Sequence, residues 1–287
     1  NPQLIHNGHA KKEQRIALIN GEKPKGCSFC WRAEKAPDSI SDRVLKSSES
    51  WSLPYFSEVK NSINKDLNPT YLELSFSNLC QMKCIYCGPH YSSSWETEIQ
   101  RFGNYTSRIF PKYEKSADFE SITDSFWRWW PDLSKNLKIL RITGGEPLLN
   151  SNFWDLLEKL HKDPHPEMSL FINSNLSVEK KLIEKLVESL GSLRSKGAIQ
   201  NIRIITSQES VGEASHYIRT GLKANLFWEN LSYICKNEES VEVSITSTLQ
   251  ILSVGSFEEF LEFFFSFRKQ HKHCKLWFDP TALQYPD

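Results

Sequence analysis

Three cysteines lie within eight residues of one another, at Cys80, Cys84 and Cys87. Their thiolates can converge on one centre only if the chain between them wraps around it, and thiolate is a soft ligand that suits iron–sulfur clusters. Four thiolates would close a structural site, whereas three leave one metal position open to a further ligand. The spacing therefore predicts an iron–sulfur centre, with a zinc ion bound to a distant fourth ligand and unrelated buried thiols as alternatives.

A second candidate segment contains Gly144, Gly145 and Glu146, followed by a proline. Glycines permit close approach of a backbone to a ligand, and a carboxylate can accept hydrogen bonds from an ammonium group. Alone, such a segment is more often a turn than a binding site. Here it follows directly on a predicted strand, and this position favours a site.

Further polar residues follow later strands. Ser174 and Asn175 come after the third strand, where an Asx turn is the alternative to a ligand contact. Ser207 and Gln208 come after the fourth. Arg219 carries a guanidinium fork that suits a carboxylate, although a lone arginine on a helix is usually solvated.

The elements that must position these residues alternate between beta-rich apolar runs and amphipathic helices. Such alternation implies parallel strands with right-handed crossovers, and six units predict an α/β fold with a partial barrel. Active sites of barrels lie at the carboxyl ends of the strands, where the segments above are found. The predicted strands cover residues 71–76, 138–143, 169–173, 201–206, 241–248 and 275–278.

Two of the helices carry clear end signals. Ser177 is expected to cap a helix that stops at Gly191. Ser256 and Glu259 form the pattern of a capping box at the start of another.

At the cysteine loop and the later motifs, the chain resembles the radical S-adenosylmethionine superfamily over roughly residues 70–280. The hallmark is the cysteine spacing together with an aromatic residue, here Tyr86, before the third cysteine. The resemblance implies a partial (β/α)6 barrel and a [4Fe–4S] cluster on the three cysteines. It also implies S-adenosylmethionine chelating the fourth iron and a 5′-deoxyadenosyl radical that abstracts hydrogen from a substrate.

The resemblance also implies cofactor contacts. Tyr86 is expected near the adenine, Glu146 and its two glycines at the methionine amino group, and Arg219 at the methionine carboxylate. Ser174 and Asn175 are expected near the cofactor, and Ser207 and Gln208 at the ribose or the carboxylate. The family's usual aspartate is replaced here by Gln208 or Glu209. Thr246, Thr248 and Asp279 are candidates to face the substrate by position alone, although Asp279 could instead cap a turn before Pro280.

The N-terminal pair Cys27 and Cys30 has the spacing at which two sulfurs can face one metal. It resembles the twitch or SPASM-like auxiliary-cluster modules that many radical S-adenosylmethionine enzymes carry, although the usual position follows the barrel. Auxiliary iron–sulfur ligands, structural zinc and a pair without metal remain open. Cys235 and Cys274 could complete such a site, but each lies in or beside a predicted core element and favours packing.

The expected organisation is a small irregular, twitch-like N-terminal segment, residues 1–65, followed by the barrel, residues 66–287. A long connection, residues 101–135, separates the first two strands. It carries an aromatic and basic cluster predicted either to pack on the barrel wall or to form a lid, namely Phe126, Trp127, Arg128, Trp129 and Trp130.

The composition limits the partners. The 35 basic and 35 acidic residues give a net charge of zero, which makes a nucleic-acid polymer an unlikely substrate. No apolar run is long enough to cross a bilayer. An odd count of seven cysteines, mostly clustered, favours metal over disulfides and a cytoplasmic location. Because the first residue is Asn, the natural start is expected upstream. We expect a peptide or small-molecule substrate and a reductant such as flavodoxin or ferredoxin.

Overall fold

The structure is a computed structural model that describes residues 1–104 and 118–282. Contacts divide the chain into two compact units. The first comprises Asn1–Leu72 with Glu120–Ile139, and the second Glu73–Phe119 with Leu140–Asp287. The units differ from the predicted division into residues 1–65 and 66–287, since residues 66–72 and 120–139 fall in the first unit. Among the described residues, no helix is both long and apolar enough to cross a membrane.

The second unit is built around an open six-stranded sheet. Its strand order is β1-β3-β4-β5-β7-β8, and the three pairs from β4 to β8 are parallel. The strands are β1 (Tyr71–Ser75), β3 (Ile139–Thr143), β4 (His165–Asn173), β5 (Ile199–Ser207), β7 (Glu242–Leu249) and β8 (Lys275–Ala282). A separate antiparallel pair consists of β2 (Lys83–Cys84) and β6 (Arg219–Thr220). All six predicted strands and the partial, unclosed barrel are confirmed.

Side chains alternate between the two faces of this sheet, as period-two strands require. On β5, Ile202 and Ile204 are fully buried, whereas Arg203 between them is half-buried. The buried face packs on helices: the ring of Phe278 lies 5.3 Å from that of Phe264. The other face, here called the concave face, carries the half-buried side chains.

The helices of the second unit connect successive strands. They are α6 (Ser93–Phe102), α8 (Ser151–Lys162), α9 (Lys180–Ser195), α10 (Gly212–Ile218), α11 (Ala224–Asn237), α12 (Ile251–Val254) and α13 (Phe257–Gln270), with a 3₁₀ turn at Pro147–Leu149.

Two predicted helix ends were wrong. Helix α9 begins after Glu179, which makes no side-chain capping bond, rather than after Ser177. It continues through Gly191 and ends before Gly197, whose φ is +62°. Gly191 instead allows close packing, because a β-carbon there would lie 2.9 Å from the carboxylate of Glu238. At the start of α13, Ser256 makes no capping bond, since its hydroxyl is 2.6 Å from that of Ser210.

Strand β8 is longer than predicted. It continues through Asp279 and Pro280, so Asp279 does not cap a turn there. The proline is tolerated because β8 is an edge strand of the sheet, where a missing N–H need not break a ladder.

The first unit is helical, which corrects the expected irregular segment. A side-chain cap starts one of these short helices, where Ser41 Oγ accepts from the Val44 N–H at 3.4 Å. The helices are α1 (Pro2–His6), α2 (His9–Ile19), α3 (Ser28–Ala33), α4 (Asp42–Ser48), α5 (Phe56–Asn61) and α7 (Phe119–Leu133), with 3₁₀ turns at Lys25–Cys27 and Leu53–Tyr55.

The aromatic cluster of the long connection lies on α7. Phe126 and Trp130 are buried, with ring centroids 5.4 Å apart. Trp129 is buried as well, which agrees with packing of the aromatic rings and not with a lid. Residues 105–117 of the same connection lie outside the described residues.

Candidate functional site

The cysteine loop is fixed by the first turn of α6. The Ser94 hydroxyl donates to the carbonyl oxygen of Cys80 at 2.7 Å, and the Trp95 indole donates to that of Cys84 at 2.9 Å. The Ser92 hydroxyl donates to the carbonyl of buried Met82 at 2.6 Å. These groups fix the backbone carbonyls of the cysteine loop, while the convergence of its three sulfurs on one centre stays a prediction. Sequence reasoning missed them, although a run of three serines just before Trp95 was a visible signal.

The two glycines of the second motif bring another loop against the cysteine loop. Gly144 has a φ of +107°, and a β-carbon there would lie 2.2 Å from the Ser75 hydroxyl. A β-carbon at Gly145 would lie 2.2 Å from the carbonyl oxygen of Leu79. The Glu146 N–H donates to that same oxygen at 2.7 Å. Here the close approach permitted by glycine is to the cysteine loop itself.

Glu146 is buried, and its carboxylate binds the loop after β4. Oε1 accepts from the Ser174 hydroxyl at 2.9 Å and from the Leu148 N–H at 3.1 Å, and Oε2 accepts from the Asn175 N–H at 2.6 Å. Burial raises the pKa of Glu146 to about 7, although these three hydrogen bonds act in the opposite direction. Being 1% exposed, Glu146 can position its neighbours but offers little surface to a ligand.

Asn175 connects this loop to the first cysteine. Its Oδ1 accepts from the Ser177 N–H at 2.9 Å, which is the Asx turn weighed as an alternative. Its Nδ2 lies 3.8 Å from Cys80 Sγ and 3.3 Å from Gln81 Oε1. The amide thus serves both the turn and the cysteine.

At the second cysteine, β2 pairs with β6 so that Cys84 and Arg219 are register partners. Arg219 Nη1 donates toward Cys84 Sγ at 3.9 Å, while its Nε donates to Glu209 Oε2 at 3.1 Å. The Tyr86 hydroxyl donates to the other oxygen of Glu209 at 3.1 Å. Burial acts to lower the pKa of Arg219, but its electrostatic interactions with Tyr86 and Glu209 outweigh burial and raise that pKa.

The structure separates the two residues predicted after β5. Ser207 is half-buried on the concave face, since it lies four residues beyond Arg203. The structure does not bring Gln208 to the site: its Nε2 donates to the Ser215 hydroxyl at 2.6 Å and to the carbonyl of Ser210. Glu209 reaches the cysteine loop in its place.

The three residues predicted by position lie on the concave face. Thr246 is the register partner of Ser207 and of Asp279, and Thr248 lies two residues further along β7. Both threonines are half-buried, and Asp279 is exposed.

The concave face also carries charged pairs that sequence reasoning missed. Arg203 donates to Glu242 at 2.7 Å and lies over the ring of Phe171 at 5.0 Å. Arg141 donates to Asn173 at 2.9 Å, with its Nη1 3.7 Å from Glu73. Charged residues in the middle of otherwise apolar strands were the available signal, because a side chain buried against helices would be apolar.

The donor set, three thiolates, fits an iron–sulfur cluster because thiolate is a soft ligand. Among residues 1–104 and 118–282, no three His, Cys, Asp or Glu side chains converge on a single-ion site. A [4Fe–4S] cluster binds each cysteine through a different iron, so its sulfurs need not meet at one point. The N–H donors of Asn175 and Arg219 at two of the sulfurs are the kind of outer contact that orients and tunes such ligands.

The thiols need the metal to ionise. Burial raises the pKa of Cys80 to about 12 and that of Cys87 to about 11, and it also raises the pKa of Cys84. Iron bound at these three sulfurs would displace the protons, so cluster assembly and deprotonation would be coupled.

The other four cysteines form two separate pairs. Cys27 ends a 3₁₀ turn and Cys30 lies on α3, both half-exposed, in the first unit. Cys235 and Cys274 are buried in the second unit, with their sulfurs 2.7 Å apart. The sulfur of Cys235 thus contacts the sulfur of Cys274.

Comparison with known proteins gives consistent results. Residues 74–194 match the model of the Radical SAM superfamily. The GTP 3′,8-cyclase of Nautilia profundicola is 23% identical over 164 residues, which are 54% of this chain and 46% of that enzyme. The GTP 3′,8-cyclase of a Sulfurovum species is 26% identical over 164 residues, 54% of this chain and 43% of that enzyme. The chain thus spans about half the length of the curated relatives it matches.

A solved structure shows the same fold. Streptococcus suis SuiB bound to S-adenosylmethionine superposes with a TM-score of 0.50 at 16% identity, covering 98% of this chain and 53% of SuiB. The family match, which contains the whole cysteine loop and Glu146, agrees with the partial barrel and with the three-cysteine motif of the sequence. Residues 74–194 thus carry the domain of the radical SAM superfamily, whose members use a [4Fe–4S] cluster and S-adenosylmethionine.

Proposed function

We propose that this chain is a radical SAM enzyme that cleaves S-adenosylmethionine reductively and abstracts hydrogen from a substrate. The observation that carries the proposal is the pair of N–H donors, from Asn175 and Arg219, directed at the sulfurs of Cys80 and Cys84. The cluster and cofactor, when bound, supply a 5′-deoxyadenosyl radical. The chain's own residues hold the cluster through Cys80, Cys84 and Cys87.

The proposed cofactor contacts follow from which atoms remain available. The loop of Gly144 and Gly145 would receive the methionine amino group through its backbone, while buried Glu146 holds Ser174 and Asn175 in place. Tyr86 would lie near the adenine.

The other two proposed contacts lie on either side of β5. Ser207 faces the concave side, where it can reach the ribose or the carboxylate. Arg219 can meet the methionine carboxylate only with atoms that Glu209 does not occupy.

Peptide modification is the reaction class we propose first. Arg203 and Arg141 on the concave face are already bound to Glu242 and to Glu73 and Asn173. A triphosphate would need cations that are free, so these compensated charges favour a polar segment of low net charge, such as a peptide. The GTP 3′,8-cyclase relatives favour the alternative, a nucleotide or other small molecule.

The N-terminal pair and the cellular context complete the proposal. We propose that Cys27 and Cys30 ligate an auxiliary iron–sulfur cluster, with a zinc ion as the alternative, because two half-exposed thiols at this spacing can face one metal. These two thiols, free and half-exposed, also favour a reducing compartment, the cytoplasm, and a reductant of the flavodoxin or ferredoxin type.

The enzyme hypothesis is tested by anaerobic reconstitution with iron and sulfide, followed by reduction in the presence of S-adenosylmethionine. We expect 5′-deoxyadenosine and methionine in equal amounts, detected by mass spectrometry. A formed cluster that yields no 5′-deoxyadenosine would reject the enzyme, leaving a non-catalytic iron–sulfur protein.

The substrate class is tested by isotope transfer. A peptide digest from cells grown in heavy water and, separately, deuterated GTP are offered to the reduced enzyme. Deuterium in 5′-deoxyadenosine from the peptide pool alone supports peptide modification. Transfer from GTP alone contradicts it and supports the nucleotide alternative.

A further inference from the structure

The side chain of Arg219 is bound inside the chain by a buried carboxylate. Its Nε donates to Glu209 Oε2 at 3.1 Å, and the two side chains are 6% and 1% exposed. The second oxygen of Glu209 accepts from the Tyr86 hydroxyl at 3.1 Å. Because the pair is shielded from water, its charges interact with their surroundings more strongly than surface charges do.

The same guanidinium reaches a cysteine of the site. Arg219 Nη1 lies 3.9 Å from Cys84 Sγ, and the guanidinium carbon lies 5.5 Å from the centre of the Tyr86 ring. Since Glu209 holds Nε from one side and Tyr86 covers one face, the direction of Nη1 toward the sulfur is fixed. Backbone pairing of Cys84 with Arg219 sets the separation.

We propose that Glu209 is a positioning residue for the iron–sulfur centre: it holds Arg219 against Cys84 and cancels the guanidinium charge there. The proposal rests on the proposed function, in that Cys84 ligates the cluster. Hydrogen bonds to the ligand sulfurs and the net charge nearby set the potential of such clusters. An uncompensated cation would favour the reduced, more negative cluster and raise its potential. Glu209 keeps the potential low, as reduction of a sulfonium requires.

The test is the midpoint potential of the reconstituted protein, measured by an EPR-monitored redox titration without a substrate. In Glu209→Gln the charge is lost while the size is kept, so we expect a more positive potential than in the wild type. Glu209→Gln combined with Arg219→Gln removes both charges and is expected to return the potential toward the wild-type value.

A matched control is Glu242→Gln. Glu242 forms the corresponding pair with Arg203, and in the described residues its carboxylate binds no group of the cysteine loop. Its substitution is expected to leave the potential unchanged, which separates a local charge effect from a general loss of an ion pair.

A fully loaded Glu209→Gln protein with an unchanged or more negative potential would overturn the proposal. Should Glu209→Gln hold no cluster, Glu209→Asp decides: a loaded cluster at the wild-type potential supports the role of the charge, and loss of the cluster assigns Glu209 to packing alone. Failure of the proposed function is distinct, because the wild type would then form no cluster or no 5′-deoxyadenosine.

Discussion

The backbone of Gly145 lies against the carbonyl group of Leu79, the residue before the first cysteine of the site. A β-carbon at position 145 would be 2.2 Å from that oxygen and 2.6 Å from the carbonyl carbon. The atoms in conflict are backbone atoms, which cannot move aside as a flexible side chain can. The loop after β3 therefore fixes the position of the backbone that leads into Cys80.

Gly145→Ala is expected to displace the cysteine loop and to lower the iron content after reconstitution. Overpacking of this kind lowers the free energy of unfolding by about 1 to 3 kcal/mol. Urea denaturation measures this loss. Gly255→Ala is the control, since a β-carbon there has no atom within 4 Å and the residue has a helical φ of −67°. A Gly145→Ala protein with full iron loading would contradict the account.

The sequence could predict the sheet and the cysteine loop because both rest on local patterns. Apolar and polar residues alternate along β5, so that Ile202 and Ile204 face one side of the sheet and Arg203 the other. This period of two residues is visible in a short stretch of the sequence. The cysteines are close in sequence, so their convergence needs only a loop that the Ser92–Trp95 segment can hold.

Glu146 predicts a pH dependence of stability in the metal-free protein. Its pKa rises on folding from 4.5 to about 7 because it is buried. Between these values the folded chain binds more protons than the unfolded chain, so stability falls as pH rises through this window. The loss is about 3 kcal/mol and is complete above pH 7.

The measurement is urea denaturation of wild type and Glu146→Gln at several pH values between 4.5 and 8. The difference between the two free energies of unfolding isolates this carboxyl group from other titrating residues. If the free energies of unfolding of the wild type and of Glu146→Gln change in parallel across this pH window, the ionisation of Glu146 does not destabilise the fold.

Other features of the site could not be read from the sequence, because they depend on contacts between distant segments. Gln208 was predicted at the cofactor, with Glu209 named only as another replacement for the family's aspartate, and only the turn after β5 sends Gln208 to Ser215 and Glu209 to Arg219. Gly191 looked like a helix stop, yet it is retained inside α9 where Glu238 packs closely. In each case a tertiary neighbour overrides a local preference.

Cys235 and Cys274 are expected to form a disulfide under mild oxidation. Their sulfurs are 2.7 Å apart, and the Cys235 thiol donates to Cys274 and so lowers the pKa of the Cys274 thiol, the better nucleophile. The two cysteines are 39 positions apart in the sequence. A disulfide that closes this segment of chain would stabilise the fold by about 4 kcal/mol, because it lowers the entropy of the unfolded chain.

Mass spectrometry after treatment with diamide should show the loss of two hydrogens in a peptide pair containing both residues. Urea denaturation of the oxidised protein should show a higher midpoint, and Cys235→Ser should abolish both changes. If the thiols of Cys235 and Cys274 both remain free to label in the unfolded, oxidant-treated protein, this expectation is contradicted.

The N-terminal pair predicts iron that does not depend on the barrel site. Removing Cys80, Cys84 and Cys87 together by alanine substitution eliminates the barrel cluster, while Cys27 and Cys30 remain in the other unit. If this pair ligates a cluster, the triple variant should keep more than about one iron per chain. Adding Cys27→Ala and Cys30→Ala should then remove the rest. Zinc measured in the same samples separates the alternatives: zinc that replaces iron indicates a structural zinc site, and a folded triple variant free of both metals means that the pair binds none.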